Sequence, residues 1–510
     1  MGPITYLSEE KKQLGFAKKK LFGVGKKSLL KALVEKGVFL PLDLFYAKQQ
    51  KEHAPLHALL FAMARKGHLC VTIKKGEIAP PLSELASDPQ SLSALQTLLH
   101  EVPEGTYSLP RMAALEESIA HGILRLLSFP SKEITASLHP EMTEEQALGL
   151  HNALTSPFSL ITGGPGTGKT YTAKQIAAAF RQAGREKILL TAPTGKAASH
   201  LGASFPDAES GTLHSFLRCL EEGETLDADL IIVDESSMID PLLFSELLGG
   251  VGPETALVLM GDADQLPAVE GGSLFADLIE EEEIEIPRIH LTKSHRSDRR
   301  EILDLAASIV SGEPIPLCNI DLGFASRDLE TIYTKLWEHT KSLFPTDWLQ
   351  NQNSFQILST LRKGPLGSEA LNHFFYEKFA KVTDQFPIMI IRNDIQTGLS
   401  NGDMGVLFGK EKALFPTGKE ISYSSLPPYE YAYCISVHKS QGSEYDHVLF
   451  LVPEGSEAFG REVLYTAVTR ARNKLEIDGD PRQIASALSR SSRKHSTLRE
   501  RLKNLKSRKT

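Results

Sequence analysis

The stretch Gly163-Gly164-Pro165-Gly166-Thr167-Gly168-Lys169-Thr170 constrains this chain more than any other. It fits G-x-x-x-x-G-K-[ST] without a mismatch. An apolar run, Phe158 to Thr162, precedes it, and a helical run, Tyr171 to Phe180, follows. Strand, glycine loop, helix is the setting of a phosphate-binding loop. The glycines let successive backbone N–H groups turn inward around phosphate oxygens, and the helix N-terminus adds a partial positive charge. Lys169 supplies a full charge for the β/γ-phosphates, and Thr170 a hydroxyl for Mg²⁺. The alternative, a glycine-rich turn that matches by chance, does not explain the two flanks.

Around this loop the chain reads as an α/β protein. Short, continuously apolar runs at 158–162, 188–192, 229–233 and 256–260 alternate with helical stretches. Such runs imply a parallel sheet buried on both faces. A second α/β region spans about 326–480, with strands expected near 387–391, 432–437 and 447–452. Residues 1 to about 140 are mostly helical in pattern. There Leu56, Leu59, Leu60, Met63 and Ala64 share a helical face and Gly67 offers a stop. Leu21 to Leu30 resembles half of a helix-hairpin-helix, which holds DNA phosphates through backbone amides; simple helix punctuation explains it equally.

Further motifs sit at strand ends. Ile231-Ile232-Val233 leads into Asp234 and Glu235, 65 residues after Lys169. In a phosphate-loop protein that is the place for a carboxylate of the Mg²⁺ shell and for one that polarises the attacking water. Gln265, in Gly261-Asp262-Ala263-Asp264-Gln265, is placed to sense the γ-phosphate. Pro193, Thr194 and Lys196 follow the second strand, and Thr212 and His214 come later. Small and hydroxyl residues with a lysine at a helix start suit the phosphates of a single strand; a plain strand-to-helix turn is the other reading. Gln146 lies 17 residues before Gly163, and its carboxamide matches an adenine edge or simply an exposed helix position. In the second region Arg470, and before it Arg296, are arginine-finger candidates, since a guanidinium matches the spread charge of phosphoryl transfer. Isolated helix arginines more often lie along the surface.

Net charge is −8, which argues against a simple polyanion-coating protein. Its distribution is uneven. Residues 481–510 hold ten Lys/Arg against Glu500 alone, whereas Glu280 to Glu283 is an acidic run. A basic end of this kind contacts nucleic acid or is simply solvated. No apolar run approaches the ~18 residues of a membrane span. The four cysteines form no C-x-x-C pair and read as reduced thiols of a cytoplasmic protein.

Taken in order, the blocks GGPGTGKT, APTGKAA, TLH, DESSMID, GDADQLPAVEGG, LTKSHR, NGDMG, SVHKSQGSEYDHV and LYTAVTRAR resemble superfamily 1 helicases of the RecD kind. The likeness covers residues 141–480. Looser likenesses are Leu42-Asp43-Leu44-Phe45 and Gly67-His68-Leu69-Cys70. The resemblance implies two RecA-like P-loop NTPase domains, at 141–325 and 326–480. It adds a helical N-terminal domain at 1–140 that docks partners, a small β insertion near 406–431 and a basic tail at 481–510. It implies a 5′→3′ DNA motor with ATP and Mg²⁺ as cofactors. Lys169, Thr170, Asp234, Glu235, Gln265, Arg296 and Arg470 would form the ATP site, with the phosphate loop, Gly442 and Glu444 as nucleotide contacts and Gln146 on the adenine. Pro193, Thr194, Lys196, Thr212, His214 and His438-Lys439-Ser440-Gln441 would contact a DNA strand.

Stand-alone members of that family carry a long N-terminal extension. The short one here favours a subunit of an exonuclease V-type heterotrimer with RecB-like and RecC-like partners. A self-sufficient helicase and an ATP-binding assembly subunit are the alternatives, and Glu235, Gln265 and Arg470 speak against the second. No compact carboxylate–lysine cluster beyond these suggests a nuclease. Replacing Lys169 by Ala is expected to abolish ATP hydrolysis in a phosphate-release assay; near-normal turnover would remove the loop from the active site.

Overall fold

The computed structural model describes residues 24–508 except 49–52, 87, 101, 131–133, 135–140, 219, 222, 270, 294–299, 314–316 and 325–327. Arg296 and Leu21 to Gly23 therefore lie outside the described residues.

The first motor is a six-stranded sheet in the order 209–212, 188–192, 230–233, 256–261, 158–163, 288–291, every pair parallel. Its inner strands are buried at nearly every position, which is why they read as unbroken apolar runs rather than alternating ones. Neighbouring side chains still divide by face. Phe158, Leu160, Ile231, Val233, Leu257 and Leu259 join one core, and Ile161, Leu230, Ile232, Val258 and Met260 the other. The edge strands 209–212 and 288–291 escape the sequence reading because Glu209-Ser210-Gly211-Thr212 and Arg288-Ile289-His290-Leu291 carry too little apolar signal.

The helix Pro110–Leu127 corrects the expected boundary near residue 140. Its Ile119, Ala120, Ile123 and Leu126 sit in the same core as Phe158 and Leu247 of the first motor. Arg125 donates to the carbonyls of Leu248 and Val251, at 2.5 and 3.1 Å, and so caps the end of the helix Pro241–Gly250. The separate N-terminal core runs from Leu30 to Leu109. It combines helices Val24–Glu35, Pro41–Lys48, Ala54–Arg65 and Pro89–Leu99 with a three-stranded antiparallel sheet. Strands of three and four residues, such as Gly105–Tyr107 and Val71–Lys74, are too short to show a period.

The second motor holds four parallel strands in the order 434–436, 355–359, 445–452, 471–479. The run near 387–391 belongs elsewhere. As Gln385–Ile390 it is an inner strand of a five-stranded antiparallel sheet with 420–422, 412–414, 404–408 and 429–431. The insertion thus begins about twenty residues before the expected 406. The strand misled because both its faces are covered: Phe386, Ile388 and Ile390 face the insertion's own core, and Met389 packs with the motor.

The expected basic tail is not a solvated end. The helix Pro481–Leu488 packs Ile484, Ala487 and Leu488 into the second motor. The chain then crosses the molecule. Ser491 Oγ and the Ser492 N–H donate to Glu462, both at 2.6 Å. The His495 N–H donates to His68 Nδ1 at 2.9 Å, and its carbonyl accepts the Leu69 N–H at 2.9 Å. The helix Leu498–Ser507 buries Leu498 and Leu502 in the core of the first motor. Arg493 and Arg499 pair with Glu280, Arg499 with Glu281, and Lys503 with Glu283. The basic end and the acidic run are partners. Among the described residues no helix is long and apolar enough to cross a membrane, and Cys70, Cys318 and Cys434 form no disulfide.

At the centre of this crossing Thr497 and Arg501 meet Glu116, which is 0% exposed; the Thr497 hydroxyl donates to it at 2.8 Å and the Arg501 Nε lies 3.8 Å away. Arg501 also pairs with Glu117 at 2.6 Å. Deleting one member of a buried ion pair leaves the other charge stranded, at a cost of about 3 kcal/mol or more. Arg501→Ala is expected to lower the thermal unfolding midpoint clearly, while exposed Lys506→Ala leaves it in place; equal midpoints in calorimetry would contradict this role of the strap.

Candidate active site in the inter-motor cleft

Strand Phe158–Gly163 delivers the phosphate loop to the top of the first sheet, and helix Lys169–Gln182 leaves it. Gly166 and Gly168 take φ of +76° and +90°, conformations that side chains resist. Lys169 Nζ donates to the carbonyls of Gly163 and Gly164 at 2.5 and 3.1 Å, and Thr167 Oγ1 to Gly164 at 2.9 Å. The loop is thus closed on its own lysine, with Thr170 in the next position of the helix.

Asp234 and Glu235 follow the adjacent strand. Glu235 has φ +52°, a left-handed conformation that costs a non-glycine residue about 1–3 kcal/mol and clusters at functional sites. Burial pushes the Asp234 carboxyl up against the attraction of Lys169. Burial, and then the neighbouring Asp234, push Glu235 up to about 7, with Arg470 and Lys169 pulling it down. Arg470 comes from the second motor. It is 4% exposed; its Nε donates to Thr466 O at 3.1 Å and a terminal nitrogen to Ser443 O at 3.0 Å. It is a buried cation whose charge acts on Glu235, not a surface arginine.

Gln265 is also buried. Its Nε2 donates to Asp262 Oδ2 at 3.1 Å, while its Oε1 has no hydrogen-bond partner. A buried acceptor left alone costs about 1–3 kcal/mol, and an orphan of this kind marks a place where a reactant completes the set. Sequence reasoning gave no role to Asp262 or Tyr465. The Tyr465 hydroxyl donates across the cleft to Asp262 Oδ2 at 2.8 Å. The available signal was its position, five residues before Arg470 on the helix that ends beside that arginine.

Several expected contacts are placed differently. Gln146 braces the loop: its Nε2 donates to Thr167 O at 3.2 Å and its Oε1 accepts the Thr143 N–H at 3.1 Å. The carboxamide is engaged with the helix cap and the phosphate loop. Ser440 is 0% exposed and donates to Val437 O at 2.7 Å. Gln441 is 6% exposed and donates across the cleft to Leu266 O at 3.0 Å. Ser440 thus closes its own turn, while Gln441 spans the junction between the motors. Lys439 pairs with Glu430 of the insertion, and His438 is held neutral by burial and by Lys494. Lys196 Nζ lies 5.8 Å from the Tyr445 ring of the second motor. Gly442 lies against Ala197, and Glu444 pairs with Arg472 at 3.2 Å. Thr194 and Thr212 cap helices Gly195–Ala203 and Leu213–Leu217, accepting the Ala197 and Ser215 N–H groups at 3.3 and 3.2 Å. Pro193 is half-buried and His214 exposed.

Comparison with known proteins agrees with this arrangement. The family described as AAA domain matches residues 141–321, and that described as UvrD-like helicase C-terminal domain matches 431–477. RecBCD enzyme subunit RecD of Haemophilus influenzae is 29% identical over 491 aligned residues, covering 75% of this chain and 77% of that protein. RecD of Mycolicibacterium smegmatis is 28% identical, covering 88% and 93%. The chain is similar to RecD subunits and carries the two matches expected of a superfamily 1 helicase. The ATP-dependent RecD2 DNA helicase of Deinococcus radiodurans is 29% identical over 84% of this RecD-like chain, which spans 62% of that longer protein. Among solved structures, Pif1 helicase from Candida albicans aligns over 72% of the chain at 17% identity and a TM-score of 0.43, too loose a likeness to bear on function.

As the expected base, Glu235 would act only when ionised, and burial with the neighbouring Asp234 pushes its carboxyl up to about 7. The value of kcat/KM for ATP is therefore expected to fall about tenfold per pH unit below pH ~7, because that limb reports the free enzyme's base. A profile that stays flat down to pH 5.5 would remove Glu235 from that role.

Proposed function

We propose that this RecD-like chain is a 5′→3′ DNA translocase and helicase driven by ATP hydrolysis, working as a subunit of an exonuclease V-type complex with RecB-like and RecC-like partners. One observation carries the reading. Lys169, Asp234, Glu235 and Gln265 of the first motor and Arg470 of the second converge on one buried cleft. An ATP site divided between two motors converts hydrolysis into relative movement of those motors.

The roles follow from the chemistry. Lys169, now bonded to the loop carbonyls, exchanges these for the β/γ-phosphates. Glu235 takes the proton of the attacking water, and Gln265 offers that water its free carbonyl oxygen. Arg470 offsets the charge that develops on the transferring phosphoryl group. Arg296 joins the ATP site by resemblance. The donor set fits Mg²⁺: Thr170 and Asp234 would hold it. Among the described residues no cluster of three His, Cys, Asp or Glu offers a cage, as expected for an ion that keeps waters and phosphate oxygens as its other ligands. When bound, it supplies positive charge to the β- and γ-phosphates.

For DNA, Pro193, Thr194, Thr212 and His214 of the first motor remain the strand contacts, with His438 and Lys439 on the opposite side. The insertion bounds this path, because its Ser400 Cβ lies 2.5 Å from where a side chain on Gly195 would begin. The N-terminal domain supports complex membership. Leu42 and Phe45 are 57% and 59% exposed on helix Pro41–Lys48, with Leu40 and Tyr46 beside them. Contiguous exposed apolar side chains mark a protein contact. Acting on DNA, the chain would work in the cytoplasm.

The deciding assay is strand displacement by the purified chain, with ATP and Mg²⁺, on duplexes carrying a 5′ or a 3′ single-stranded tail. Unwinding from the 5′ tail alone is expected if the chain is self-sufficient. DNA-stimulated ATPase without unwinding is expected if the partners are required. Unwinding from the 3′ tail would overturn the polarity, and ATPase indifferent to DNA would overturn the motor.

A further inference from the structure

Tyr465 occupies a position between the two motors that no role described so far requires. Its side chain is 6% exposed, and its hydroxyl donates to Asp262 Oδ2 at 2.8 Å across the cleft. The same oxygen accepts Gln265 Nε2 at 3.1 Å, and the other Asp262 oxygen accepts the Asp264 N–H at 3.1 Å. The carboxylate is therefore held from three sides, and it in turn fixes the amide of Gln265 with Oε1 left open. The phenol oxygen also lies 3.2 Å from the point where a side chain on Gly164 would begin. Position 164 is a variable one in the phosphate-loop pattern, so the glycine there is explained by the tyrosine above it.

The neighbours of Tyr465 make the contact rigid. Thr466 Oγ1 accepts the Leu266 N–H at 3.0 Å, and Gln441 Nε2 donates to Leu266 O at 3.0 Å. Leu266 follows Gln265 directly. Arg470 Nε donates to Thr466 O at 3.1 Å. Arginine and tyrosine thus move as one piece with helix Arg461–Val468.

We infer that Tyr465 is a positioning residue: its hydroxyl transmits closure of the second motor, through Asp262, to the carboxamide of Gln265 at the γ-phosphate. When the cleft opens, one displacement withdraws Arg470 and releases Gln265 together, so hydrolysis requires the closed state. Burial and the neighbouring Asp262 keep the phenol protonated, and so a donor.

This rests on the ATP-hydrolysis part of the proposed function and is tested on the full chain. Tyr465→Phe keeps the ring and loses the hydroxyl. The expected result is a roughly tenfold lower kcat for ATP, the loss of one charge-assisted hydrogen bond in the transition state. The Kd of a fluorescent ATP analogue stays within about twofold and the melting midpoint is retained. In a double-mutant cycle, Tyr465→Phe with Asp262→Ala is expected to be no slower than Asp262→Ala alone, because both act through one path. An unchanged kcat, losses that add, or a loss confined to the melting midpoint overturns the inference. A parent chain that hydrolyses no ATP fails at the proposed function instead, before any variant is compared.

Discussion

Two neighbouring, partly buried carboxylates set the terms for the rest of this structure. Asp234 and Glu235 sit at the end of a strand buried on both faces. Their ionised forms are tolerated only because cations approach from two directions, Lys169 from the phosphate loop and Arg470 from the other motor. An uncompensated buried charge is expensive enough to shift its own protonation. The separation of the motors is therefore also an electrostatic variable of the active site. In the proposed mechanism, withdrawing Arg470 makes the ionised base less favourable, so charge joins the Tyr465 contact in tying chemistry to closure.

Much of this was readable from residue order. The phosphate loop, the Asp234–Glu235 pair and the inner strands of the first sheet stood out because each joins a local pattern to a chemical requirement. What escaped depends on pairing across the fold. Gln385–Ile390 has the same apolar texture as a parallel-sheet strand, and only its partners show that it belongs to the insertion. Ser440 and Gln441 have the polarity of a DNA-contact segment, yet Ser440 is buried within its own turn and Gln441 is bonded to Leu266 of the first motor. Gln146 shows the same limit: its amide chemistry was legible, but the capping box with Thr143 and the carbonyl of Thr167 claim it. The terminal lysines and arginines were visible as charge. That Glu280 to Glu283 would receive them was not, since over 200 residues separate the partners.

The N-terminal region illustrates how cores, not sequence intervals, delimit domains. Pro110–Leu127 is strongly amphipathic and follows the small antiparallel sheet directly. Its apolar face nevertheless completes the first motor, where Leu247 and Leu248 wait on the facing helix. Gly122 permits that approach, since a Cβ there would stand 2.9 Å from the Leu248 Cβ. The true N-terminal core is smaller and carries its exposed apolar helix away from the ATP cleft's own sheet.

The C-terminal strap has a consequence for how the molecule is made. Glu116 is buried in the finished protein, but its partner Thr497 lies 381 residues further along the chain, with Arg501 just beyond, so both are made long after it. Leu498 and Leu502 complete the core laid down by Pro110–Leu127 at the same late moment. Until then one flank of the first motor stays uncovered, with a carboxylate lacking its cation. Final packing of the first motor around Pro110–Leu127 therefore waits until residues 497–502 have been made, and a chain lacking them leaves that flank and Glu116 open.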